Sequence, residues 1–153
     1  MQRREALRYL ENAKELLNKS SIEDSLYTDE KYVKSAFGIV YLGVLKSIDE
    51  YLLNKGLTKK ELPKKEEEYE KALKKYLFIR NGKLLNQFKA LYNELHIAGY
   101  YRGHILHIEA VKALFKAAQD FIEKLKWIPP PLLIEYSATI FYISILIMGH
   151  LLS

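Results

Sequence analysis

The chain of 153 residues contains no cysteine. Disulfides, cysteine nucleophiles and thiolate metal sites are thereby excluded, and the composition fits a reducing cytosol. Proline and glycine are scarce, at four and seven residues, which favours long uninterrupted elements. No Gly-rich phosphate loop occurs, and no serine sits in a nucleophile-elbow pattern. The first 17 residues hold Arg3, Arg4, Glu5, Arg8, Glu11, Lys14 and Glu15. They leave no apolar core for a secretory signal, so a cytoplasmic location is expected. No strand pattern, internal repeat or low-complexity run stands out.

Hydrophobic residues make up 49% of the chain and charged residues 28%, values ordinary for one globular domain. A bundle of about 125 residues buries a core without disulfides or metals. The twelve tyrosines are many. Each buries a ring while keeping a polar tip, which suits the rim of a helical core or an interface. Tyr32, Tyr41, Tyr51, Tyr69 and Tyr76 recur at helical spacing and read as core rather than as a cofactor box.

The formal charge of +5 is unevenly spread. Lys55 to Lys89 holds 11 basic and 5 acidic residues, a local charge of +6. Glu67 with Lys71 and Glu70 with Lys74 are favourable pairs four residues apart, as on a solvated helix face. The alternative is a surface for phosphates or anionic membranes.

Apolar residues at spacings of three and four mark the helices. The first runs from Arg3 to Asn18 on Ala6, Tyr9, Leu10, Ala13, Leu16 and Leu17, and Ser20 to Asp24 reads as a polar linker. The second carries a broad face from Val33 to Leu52. Thr28 is placed to cap its start, and Gly56 followed by Leu57 to close its end. Gly38 and Gly43 would let neighbouring helices approach closely. A third helix is expected from Pro63, in the first turn, to Ile79. Asn81-Gly82 marks a turn. A fourth helix should run from Lys83 to Ala98, and a fifth from Ile108 to Lys126. Phe37, Val40, Val44, Leu73, Leu91 and Phe115 are the expected core. Short connections favour antiparallel neighbours. The fold expected is thus all-α, an antiparallel up-and-down bundle of four to five helices with an apolar C-terminal tail helix. Residues 1–128 form the bundle domain and residues 129–153 a proline-linked tail.

Pro129, Pro130 and Pro131 stop the fifth helix. Residues 132–152 match the length of about 20 residues that spans a hydrocarbon core, with Lys124 and Lys126 as a cytoplasmic flank. Glu135, two serines and His150 dilute the apolar character. Three readings stand open: a membrane anchor, a helix packed on the bundle or on a partner, and a segment not native to the domain.

The stretch from Glu94, ELHIAGYYRGHILHIEA, gathers three of the four histidines and an arginine between two glycines. Arginine offers a fixed donor fork for phosphate or carboxylate, and histidine exchanges protons near neutral pH. One reading is an interhelical corner. Gly99 and Gly103 supply turn geometry, the tyrosines pack, and Arg102 binds helix-end carbonyls. Another is a loop for an anionic ligand, with Tyr100, Tyr101 and His104 as binding residues. A metal site on His104, His107 and Glu109 matches no compact zinc spacing, so neither metal nor cofactor is expected.

Two resemblances attach to these residues. REALRYLENAKELL, YTDEKYVKSAFGIVYLGVLKSIDEYLL, NGKLL and ELHIAGYYRG resemble a family of uncharacterised bacterial domains with no assigned activity. More loosely, Arg102, four residues and His107 near the last helix of a small bundle resemble the motif of HEPN domains. The HEPN likeness implies a metal-independent ribonuclease with paired Arg and His at a dimer interface. Arg102 would hold the scissile phosphate and His107 would move protons. Gly103 departs from that pattern, because the family usually has a polar residue there, within a helix. The expected function is a non-catalytic interaction or accessory module that associates with itself or a partner protein. The alternative is a HEPN-type ribonuclease or toxin–antitoxin component acting on RNA.

Overall fold

The computed structural model describes residues 3–77, 82–126, 128 and 140–148. The helices come in chain order: α1 (Arg3–Leu17), α2 (Glu30–Asn54), α3 (Glu66–Leu77) and α4 (Gly82–Leu91). A π-helix (Tyr92–Tyr101) and α5 (Ile108–Lys126) follow. The fold is all-α apart from a two-stranded hairpin, β1 (Ile22–Glu23) and β2 (Leu26–Tyr27), between α1 and α2.

The helix α2 is the axis of the bundle and packs against α1, the π-helix and α5. Its position follows from its sequence. Buried residues occupy most of its circumference, from Val33 and Ala36 through Val44 to Leu52, as expected of a helix surrounded by others. Phe37, Val40, Val44, Leu73, Leu91 and Phe115 are all buried. Gly43 admits α1: a Cβ there would stand 2.9 Å from Tyr9 Cβ. At the far end Gly56 has φ +99°. Its N–H donates to Leu53 O and the Leu57 N–H to Leu52 O. This is the Schellman closure that the Gly-Leu pair implies.

Three local expectations differ from what is seen. Thr28 does not cap α2. Its hydroxyl donates to Ser21 O, and the cap position is taken by Asp29, without a side-chain cap bond. Pro63 lies outside α3, which starts at Glu66; the Glu68 carboxylate instead accepts from the Lys64 N–H at 2.7 Å. The linker after α1 is not featureless. Asp24 and Ser25 both have positive φ, 48° and 65°, as the two-residue type I′ hairpin turn requires. Two-residue strands are too short to show a period of two, and Asp-Ser is not the usual Asn-Gly or Asp-Gly signal.

Of the basic segment's pairs, Glu70 meets Lys74 at 4.0 Å and also Lys89 at 3.2 Å, joining α3 to α4. Among the described residues Glu67 forms no ion pair with Lys71. The Asn81 half of the expected turn, the end of the third helix at Ile79, and the tail prolines Pro129 to Pro131 lie outside the described residues. So does most of the expected span 132–152. Residues 140–148 are helical, with Ile140, Phe141, Leu146 and Met148 exposed. Among the described residues no helix is long and apolar enough to cross a membrane.

Candidate functional site: the π-helix and the loop that follows it

From Leu91 the buried positions change rhythm. In α4, Leu84, Leu85, Phe88 and Leu91 follow the three-four spacing of an α-helix; Leu91, Leu95 and Gly99 then recur at a strict spacing of four. In an α-helix such a row would drift by about 40° per step. A π-helix, bonded i to i+5, winds by less per residue, and here Leu95 and Gly99 both stay buried. The Arg102 N–H ends the π-helix by donating to Ile97 O, five residues back, at 2.9 Å.

The same spacing stacks a second row one residue on. Tyr92, His96 and Tyr100 form a column, with ring centroids 5.5 Å apart for the first pair and 5.8 Å for the second. Tyr41 of α2 stacks on His96 at 4.8 Å. Burial lifts the Tyr41 hydroxyl well above its ordinary pKa of 10.0, with Tyr92 and Glu66 adding to the shift, so Tyr41 stays neutral. Two glycines let the backbones close up around the column. A Cβ on Gly38 would stand 3.0 Å from Tyr100 Cδ2, and one on Gly99 would overlap the Phe37 ring. Gly99 therefore does not make a turn, as its sequence setting implied. It lies inside a helix, where it permits a close approach. Gly103 does make the turn, with φ +65° and the Glu30 carboxylate and Lys34 packed where a side chain would be.

Backbone bonds then fix the loop to the hairpin. The Tyr27 N–H donates to Leu106 O at 2.9 Å, the Ile108 N–H to Ser25 O at 3.0 Å, and Leu26 bridges His107. The His104 N–H donates to Ala98 O. His107 stands immediately before α5, and its Nδ1 accepts from the Glu109 N–H at 3.3 Å. That is a helix N-cap made by an imidazole, satisfying one of the free donors of the first turn. Arg102, His104 and His107 are exposed. Among the described residues no hydrogen bond or ion pair joins Arg102 to His107 or to a helix-end carbonyl, contrary to the carbonyl-binding role that a corner would give Arg102. Nor do three His, Asp or Glu side chains gather as metal ligands among those residues, His104, His107 and Glu109 included. Tyr100 and Tyr101 are not packed away: they are 45% and 72% exposed.

Two polar features of α2 do not stand out from simple patterning of the sequence. Tyr69 donates its hydroxyl proton to Asp49 Oδ1 at 2.9 Å. Burial raises the Asp49 pKa above the usual carboxylate value, with the Tyr69 bond and Lys46 opposing. Glu50 is buried, and its Oε1 has no hydrogen-bond partner among the described residues. A signal existed for it, since Glu50 falls seven residues after Gly43 and three after Ser47, on the buried stripe.

Comparison with known proteins adds the following. The model of a family described as a domain of unknown function, DUF5618, matches residues 1–127. Among solved structures, a protein of unknown function from Dyadobacter fermentans is similar, with 35% sequence identity and a TM-score of 0.67. The similarity covers 81% of this chain and 93% of that one. No curated protein matches.

Proposed function

The chain belongs to the DUF5618 family, and from that footing we propose that it is a non-catalytic interaction module that self-associates through the edge shared by α2 and the π-helix. The exposed aromatic end of the stacked column carries this reading. Tyr100 ends the stack, Tyr101 follows it in the chain and is 72% exposed, and Leu42, 52% exposed, lies one turn along α2 from Gly38, which abuts Tyr100. Tyrosine on a preorganised frame contributes contact area at little entropic cost and is enriched at interfaces. The face is also the same on every copy, which suits a two-fold contact. His104 lies beside it in sequence and is taken as a polar contact.

Sedimentation velocity tests the proposal. A concentration-dependent dimer is expected, converted to monomer by Leu42→Asp or by Tyr101→Ala with unchanged helicity. A wild-type chain that stays monomeric at high micromolar concentration overturns the self-association.

One observation favours the second reading, a metal-independent ribonuclease of HEPN type acting on RNA. Arg102 and His107 are both exposed on a single short loop, and a dimer would bring two such loops into one molecule. Against it stands the engagement of the His107 ring as a helix cap. Under this reading purified protein cleaves RNA without metal, and Arg102→Ala and His107→Ala each abolish cleavage while the fold survives. Absence of cleavage over a broad RNA panel removes it.

A further inference from the structure

A cavity of about 640 Å³ opens where α1, α2 and the end of α5 meet, away from the π-helix. Leu7, Ile122, Leu125 and Ile128 give it an apolar side. Into this lining α2 places Glu50, only 8% exposed. Its Oε1 is shut off from solvent and accepts no hydrogen bond among the described residues. Because Oε1 is closed even to water, a ligand in the cavity would meet the carboxylate by its other edge. Lys46, the cation nearest in sequence, pairs with Glu5 at 3.6 Å. Ser47, Tyr51, Asn54, Glu123 and Lys126 complete the lining.

We propose that this cavity is a binding site for a small amphipathic ammonium ion, whose charged N–H groups meet Glu50 and whose hydrocarbon body lies along the apolar side. The volume is that of a small-molecule pocket. The ligand's sign follows from the carboxylate. The lining carries two carboxylates, Glu50 and Glu123, against one lysine, Lys126, so a cation fits it better than an anion. A bare metal ion lacks ligands, since no three candidate side chains gather among the described residues. An ammonium ion supplies three donors and brings charge-assisted hydrogen bonds, roughly twice as strong as neutral ones.

The test titrates the isotope-labelled full chain with hexylammonium chloride, with hexan-1-ol and sodium hexanoate as controls of equal length. Saturable amide shifts at Ser47, Glu50 and Ile122 are expected with hexylammonium, with an affinity about tenfold above that for the alcohol. Hexanoate should give none. Glu50→Gln should abolish the preference for ammonium over alcohol while leaving the circular dichroism spectrum intact. The ammonium-against-alcohol comparison uses the unaltered chain and stands even if the variant unfolds. Equal affinity for the two, no saturable shift at these positions, or a preference that persists in Glu50→Gln overturns the site.

Discussion

The ring of Phe37 lies against the backbone of Gly99, in the space that any β-carbon at residue 99 would occupy. Phe37 is fully buried and meets Phe115 edge-to-face at 5.6 Å and 87°. One contact thus ties α2, the π-helix and α5 together. A methyl group inserted there forces the ring or the backbone aside, and overpacking of this kind costs about 1–3 kcal/mol. Gly99→Ala should lower stability to urea by about 2 kcal/mol. Gly82→Ala is the control. Nothing lies within 4 Å of a Cβ there, so the same substitution should raise stability by about 0.4–1 kcal/mol through the unfolded chain. Equal effects at the two sites would contradict the close approach.

His107 makes a capping bond to the Glu109 N–H at the start of α5. Removing such a cap costs about 0.5–2 kcal/mol, and a carboxylate at this position also favours the positive end of the helix. His107→Ala should therefore melt several degrees below wild type, and His107→Asp should recover most of the loss. A His107→Ala variant as stable as wild type would show that the imidazole contributes nothing as a cap.

The bundle was legible in the sequence where the pattern is simple. Phe37, Val40 and Val44 follow one helical stripe, and they are buried on α2. The Gly56-Leu57 pair closes α2 in the manner its chemistry implies. Reading failed where one residue type serves two ends. A glycine near a helix end is more often a turn than a contact, and Gly99 is a contact; the clue lay in the strict spacing of four from Leu91 to Leu95 to Gly99. The hairpin at Ile22–Tyr27 was invisible because its pairing is completed by a distant segment, Leu106 to Ile108. Glu50 does not stand out in the sequence because carboxylates are ordinarily solvated, although its register places it on the buried stripe. The exposed positions of Arg102, Tyr100, Tyr101, His104 and His107 depend on how the loop after the π-helix is pinned, which local sequence does not encode.

Residues 140–148 form an apolar helix with its side chains exposed, whereas Ile128 is half-buried against the core. A chain ending after Ile128 should keep the helicity and melting temperature of the full chain and stay monodisperse at higher concentration, because a contiguous exposed apolar surface promotes association. Light scattering and thermal melts of the two chains check this. A lower melting temperature on truncation would mean that the removed segment packs on the bundle.

Glu50 gives the domain a stability that depends on pH. Burial raises the Glu50 pKa above its ordinary value of 4.5, with Glu5 and Asp49 adding to the shift and Lys46 opposing it. A carboxyl whose pKa is higher in the folded than in the unfolded state favours folding when protonated. The sign is therefore opposite to that of an ion-paired carboxylate. Its penalty is absent below pH 4.5, grows as pH rises toward the folded-state pKa, and is complete above it. Glu50→Gln removes the ionisation while keeping the shape. At pH 7 the variant should be more stable than wild type, because a neutral amide avoids the cost of burying a charge. Below pH 4.5 the two should converge, because the protonated acid and the amide are both neutral. Urea unfolding at pH 4, 5, 6 and 7 measures the difference directly. A gap that widens on acidification, or a variant less stable than wild type at pH 7, would mean that Glu50 finds a compensating partner in the folded protein.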